Sequence, residues 1–192
     1  MESLVPPKIP VGDAAAAVFD WLLANAAGLF DALADGAEAL IDGVLRVLQT
    51  PPPLVLVAAF AALAFALQRS WRTALLVALG FLFILNQGYW EETTESLTLV
   101  LSACVVCMAV GVPIGIAAAH RPRLYRAIRP VLDLMQTLPT FVYLIPAIVF
   151  FGIGMVPGLF ATVIFVLPAP IRLTHLGVAS TPAPLLEAAR AF

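Results

Sequence analysis

Four polar side chains, Gln136, Thr137, Thr140 and Tyr143, stand close together in a stretch that carries no charge from Leu134 to Ile171. Pro130, Pro139 and Pro146 punctuate the same region. A proline lacks the backbone donor and leaves a carbonyl one turn earlier unpaired. In hydrocarbon such a carbonyl must find another partner, and irregular backbone is tolerated only beside protein or a cavity. The chemistry on offer is hydrogen bonding and, at Tyr143, an aromatic face for a cation. Two readings fit these residues equally. They line a polar path through a membrane, or they bond between helices at about 0.6–2 kcal/mol per contact.

Other chemistry-bearing residues read more plainly. Cys104 and Cys107 form a Cys-x-x-Cys inside an apolar run. A redox pair needs a helix N-terminus and water, and a zinc site needs two more ligands. Both cysteines therefore read as small apolar residues, with no metal expected. His120 and His175 read as loop residues that pair with lipid phosphate or backbone rather than as catalytic groups. Gly111, Pro113 and Gly115 give small-xxx-small spacing and a kink, and packing outranks gating as their role. Glu187-Ala188-Ala189 follows Pro182 and Pro184, so an ordinary helix start explains it. A second reading is a small docking helix: alanines permit close approach and an acid suits a helix N-terminus. No glycine-rich loop ending in Lys-Ser/Thr is present, so any ATP would be bound by a partner. No catalytic residue and no cofactor are expected.

These residues need elements to hold them. The chain has 192 residues, 62% hydrophobic and 11% charged, against about 25% charged in soluble domains. Lipid is the natural solvent for such a chain. No basic tract outside the loops suggests nucleic acid. Met1–Leu4 lacks the basic start of a cleavable signal peptide. Charge-free stretches run over Val47–Gln68, Thr73–Trp90, Ser96–His120 and Leu134–Ile171. The last holds 38 residues, enough for two crossings of about 20 each, with a break at Gly152–Gly158. The expectation is an all-α membrane protein with about five transmembrane helices.

Alternating the loops puts eight arginines on one side: Arg69, Arg72, Arg121, Arg123, Arg126, Arg129, Arg172 and Arg190. The other side receives only Lys8 and Arg46, with ten acids. Lysine and arginine concentrate on the cytoplasmic side of membranes. The expected orientation is N-terminus outside, C-terminus inside. Arg121–Arg129 reads chiefly as a determinant of that orientation, with attraction to anionic lipid worth roughly 1 kcal/mol per residue. No charged residue lies mid-span, which argues against a proton-coupled carrier.

Residues 13–49 hold too many acids to be a span. At about 100° per residue, Asp20, Asp31, Asp35, Glu38 and Asp42 share one arc. Val18, Leu22, Leu29, Leu33, Leu40 and Val44 lie opposite. This predicts an amphipathic helix, with Gly36 or Gly43 as the candidate break and Pro51-Pro52-Pro53 as its stop. It lies along the outer membrane face or a partner, or simply packs on the surface. Its acidic face is unsuited to anionic lipid. The domain expectation is an extracytoplasmic region over 1–50, two helices over 51–92 and a larger transmembrane unit over 93–192.

Long runs from Leu97 onward carry a resemblance. They are Gly111–Ile116, Met135–Ala147, Phe151–Gly154, Leu167–Thr174 and Glu187–Ala189. Together they resemble the permease subunit of glycine betaine/proline betaine-type ABC importers, over about half of the chain. The resemblance implies part of a type I ABC importer permease fold in a bacterial inner membrane. It implies two permease copies, an ABC ATPase and an extracytoplasmic substrate-binding protein as partners. It implies that Glu187, Ala188 and Ala189 dock in an ATPase groove, and that the cargo is a compatible solute such as glycine betaine or proline. That family continues past its coupling loop with a glycine and further spans, so the chain is expected to be a piece of a longer permease. A choline or carnitine permease and a non-transporting membrane scaffold are the competing readings.

Overall fold

The computed structural model describes residues 11–182 and 191, and these form helices with no strand among them. Among the described residues nine helices run in order: α1 (Val11–Asn25), α2 (Ala27–Gln49), α3 (Pro53–Gln68), α4 (Trp71–Asn86), α5 (Trp90–His120), α6 (Pro122–Thr137), α7 (Thr140–Phe151), α8 (Met155–Val166) and α9 (Pro168–Ala179).

Among the described residues, two stretches are long and apolar enough to cross a membrane alone. One is α5, with 31 residues. The other is α8 and α9 running together over Met155–Ala179, 25 residues. They match the expected third and fifth spans. The fifth is longer than its charge-free stretch, because the helix continues through Arg172 to Ala179. Arg172 Nη2 donates to Asp133 Oδ1 at 2.6 Å, which neutralises the charge in place. The expected first and second spans are α3 and α4, each 16 residues. Sixteen residues rise about 24 Å, short of the roughly 30 Å of hydrocarbon. The expected fourth span is α7, 12 residues long and bent 95° from α6.

The core gathers around α5. Its buried face is a row of small or polar residues: Thr94, Thr98, Ser102, Ala103, Cys107, Gly111, Gly115 and Ala118. Small residues let helices approach closely, which replaces the hydrophobic drive that lipid removes. Ala37 and Ile41 of α2, Ala103 of α5, and Val156 and Leu159 of α8 form one cluster. The turn between α7 and α8 uses Gly152 at φ 78° and Gly154 at φ 155°. Side chains rarely adopt that backbone region, so the hydropathy break becomes a true corner there. Ile153, between them, is 95% exposed.

The N-terminal amphipathic segment differs from expectation in two ways. Its break falls at Ala26, where α1 and α2 meet at 76°, and α2 runs unbroken through Gly36 and Gly43. Phe19 of α1 and Phe30 of α2 both stack on Phe150, at 5.1 and 4.3 Å. That shared ring holds the two sides of the bend, so tertiary packing sets the corner rather than glycine. The buried side is also not the centre of the apolar arc. Ala37, Ile41 and Leu48 are buried, whereas Leu29 and Leu33 are exposed. The packed stripe lies roughly 75° round the helix from the apolar centre. It separates the exposed apolar stripe from the acids.

The α3–α4 hairpin stands apart. Only Leu56 and Val57 of α3 are buried, and no residue of α4 is. Its corner places Arg69 at φ 52°, a left-handed helix end. Ser70 Oγ then accepts from Thr73 N at 3.5 Å to start α4. Phe60 stacks on Phe81 at 4.9 Å, and Phe81 meets Trp90 edge-on at 6.3 Å, linking the hairpin to α5.

Candidate functional site

The four polar residues singled out in the sequence do not sit on one helix. Gln136 and Thr137 end α6, Pro139 precedes α7, and Thr140 and Tyr143 begin it. The 95° bend lies between the two pairs. Proline disfavours helix in the residue before it, and Leu138 is extended at ψ 139°. That explains why α6 stops here although the charge-free stretch continues.

The carbonyl of Leu134 is the hub of the bend. It accepts from Leu138 N at 3.3 Å, from Thr137 Oγ1 at 3.0 Å and from Tyr143 Oη at 3.2 Å. Tyr143 of α7 thus ties the two helices across the bend, while the Thr137 bond closes the end of α6 locally. Gln136, Thr137, Pro139 and Thr140 are exposed and Tyr143 is half-buried. They face outward from the described residues rather than into a closed cavity.

Gly111 and Gly115 lie against α9. A Cβ on Gly115 would stand 2.6 Å from Thr174 Cβ and 2.7 Å from the Ile171 carbonyl oxygen. On Gly111 it would stand 2.8 Å from Pro170 Cγ. Real Cβ contacts are not that short, so any larger residue must push α9 away. The helix continues past Pro113 to His120.

Several residues enter that the sequence reading did not single out. Thr94, Thr98 and Ser102 are buried on α5. Thr98 Oγ1 donates to Thr94 O at 2.7 Å, and Gln49 Nε2 donates to Thr94 Oγ1 at 3.0 Å, joining the end of α2 to α5. Their four-residue spacing in an apolar run was the available signal. Asp133 is the second. It accepts from Arg172 and stands 4.0 Å from Arg129, so it ties α6 to α9. Its signal was a lone acid amid arginines. His175 lies within α9 rather than in a loop, stacked on Tyr125 at 3.6 Å. His120 ends α5, its Nδ1 2.9 Å from the Ile116 carbonyl. Cys104 and Cys107 are free, and no metal-ligating cluster occurs among the described residues. Glu187, Ala188 and Ala189 lie outside the described residues.

Residues 111–192 match the family model of the binding-protein-dependent transport system inner membrane component. The glycine betaine transport system permease protein OpuAB of Bacillus subtilis is 44% identical over 97% of this chain and 66% of its own length. The glycine betaine/carnitine transport permease protein GbuB of Listeria monocytogenes is 38% identical over 86% of this chain and 60% of its own. The glycine betaine/proline betaine transport system permease protein ProW of Escherichia coli is 40% identical over 90% and 49%. The chain spans about half to two thirds of these relatives. The match covers α6 to α9 and the C-terminal third of α5, so over residues 111–192 the chain is similar to the inner membrane components of binding-protein-dependent transport systems.

Proposed function

We propose that this chain forms part of the membrane-spanning permease of an ATP-driven importer for glycine betaine and related compatible solutes such as proline. The observation that carries the reading is 44% identity over 97% of the chain to a glycine betaine permease. The partners in this reading are an ABC ATPase, an extracytoplasmic substrate-binding protein and a second permease copy. The arginine-rich side, which includes α6 and the corner at Arg69, faces the cytoplasm and the N-terminus lies outside. Glu187, Ala188 and Ala189 make the ATPase contact. Gln136, Thr137, Pro139, Thr140 and Tyr143 border the translocation path, where the bend braced on Leu134 O gives a corner able to change angle. The close α5–α9 contact is the rigid part against which that corner works. The chain does no chemistry of its own; nucleotide hydrolysis belongs to the ATPase.

The test is transport by the protein of the complete reading frame, reconstituted with its ATPase and binding protein. ATP-dependent uptake of labelled glycine betaine is expected, with unlabelled carnitine and choline added to rank selectivity. Uptake that ignores ATP, or no uptake of any of these solutes, would sink the reading. Replacing Glu187 is expected to weaken ATPase association while membrane insertion persists. A cysteine at Glu92 is expected to label from outside intact cells and one at Arg126 is not; the reverse pattern would overturn the orientation.

A further inference from the structure

We infer that the exposed arginine face of α6 is a binding surface for the phosphate headgroups of anionic phospholipid. This does not rest on the importer reading. The helix has three sectors. Leu124, Tyr125, Ile128, Leu132 and Met135 turn toward the protein, with Leu132 buried. Roughly opposite, at about 100° per residue, lie Arg123, Arg126 and Arg129, all exposed. Between them a side sector carries Val131, 55% exposed, and Leu134, 57% exposed.

The arrangement selects one class of ligand. Of the three arginines, Arg129 stands beside Asp133. Among the described residues no carboxylate pairs with Arg123 or Arg126. Guanidinium groups match phosphate oxygens with two parallel hydrogen bonds. A water-soluble phosphate would satisfy the arginines but would leave Val131 and Leu134 in water. A lipid satisfies both, with headgroup on the arginines and acyl chain beside the valine and leucine. The placement of α6 agrees. It bends 95° from α7, and α7 carries no charge, whereas α6 carries four basic and acidic side chains within its own length. A helix of this composition settles in the interface plane. The opposite case is α2, whose exposed charges are four acids against the single Arg46 and would on balance repel the same headgroups.

The experiment places a photoreactive benzoylphenylalanine at Ala127, an exposed position on α6, in the otherwise unaltered chain. The protein is reconstituted in vesicles of equal parts phosphatidylglycerol and phosphatidylcholine, and the ratio of the two crosslinked lipids is read. A ratio well above one is expected. In the Arg123→Gln, Arg126→Gln double variant it is expected to fall by up to about fivefold per arginine. The Arg69→Gln, Arg72→Gln variant, altered at the hairpin corner, is expected to leave it unchanged. The phosphatidylcholine yield reports whether position 127 still faces lipid, and an unchanged yield separates loss of recognition from misfolding. A ratio near one in the parent protein, or no change in the double variant, would overturn the proposal. So would competition by inorganic phosphate at matched ionic strength, which would assign the face to a soluble anion. Loss of crosslinking to both lipids when the ATPase is added would assign it to a protein partner instead.

Discussion

The α5–α9 contact and the α3–α4 hairpin are both apolar helix pairs, yet different physics holds them. In the first, Gly111 and Gly115 bring backbone against Pro170, Ile171 and Thr174 with no space for one added carbon. In the second, Gly80 of α4 has nothing within 4 Å of where a Cβ would be, and the contact rests on stacked Phe60 and Phe81. Lipid tails are as apolar as leucine, so hydrophobicity alone gives helices no reason to associate there. Shape must supply the reason. The pair with shape complementarity lies where the family match falls, over 111–192, and the pair without it lies outside that match.

Four substitutions sharpen the contrast. Gly115→Val is expected to do the most damage, because it meets the carbonyl of Ile171, which cannot step aside without moving α9. A loss of about 3 kcal/mol or more follows from forced overpacking, and size-exclusion of the detergent-solubilised protein should show little monodisperse material. A normal profile would mean that α9 shifts freely. Gly111→Val should cost less, about 1–3 kcal/mol, since its first obstacle is the ring edge of Pro170 rather than backbone; thermal aggregation midpoints would rank the two. Phe81→Ala should cost roughly 0.5–1.5 kcal/mol of aromatic contact beyond its buried area. Protease sensitivity should then rise between α3 and α4 while α5–α9 stays protected. Gly80→Ala should be neutral or gain up to about 1 kcal/mol from helix propensity. A marked loss at Gly80 would show that another surface packs on α4 in the membrane.

Much of this was legible in the residues. Counting charges located α3, α4, α5 and the α8–α9 helix, and Gly111 and Gly115 lie against α9, whereas Pro113 between them is exposed. The corners were harder. Gly36 and Gly43 looked like the weak points of α2, but Phe150 fixes the bend at Ala26, and a partner over a hundred residues away leaves no local trace. Arg172 looked like the end of a span, but a charge paired with Asp133 can stay within a helix. The rotation of α2 was illegible for a different reason. Leu29 and Ile41 are equally apolar, and only the shape of the neighbour decides which meets protein. The outward placement of Gln136 and Thr140 has the same cause: polarity marks residues that need partners without saying where those partners stand.

The absence of clearance at Gly115 has one more consequence. Two rods that touch through bulky side chains can slip as those side chains change rotamer. Two rods touching backbone to side chain cannot, so α5 and α9 translate as a single beam. Force applied beyond Ala179 would arrive at the acidic end of α5, near Trp90, without being absorbed on the way. Spin labels at Leu101 and Leu173 should report one fixed separation under every condition, and a second distance would mean the beam has a joint.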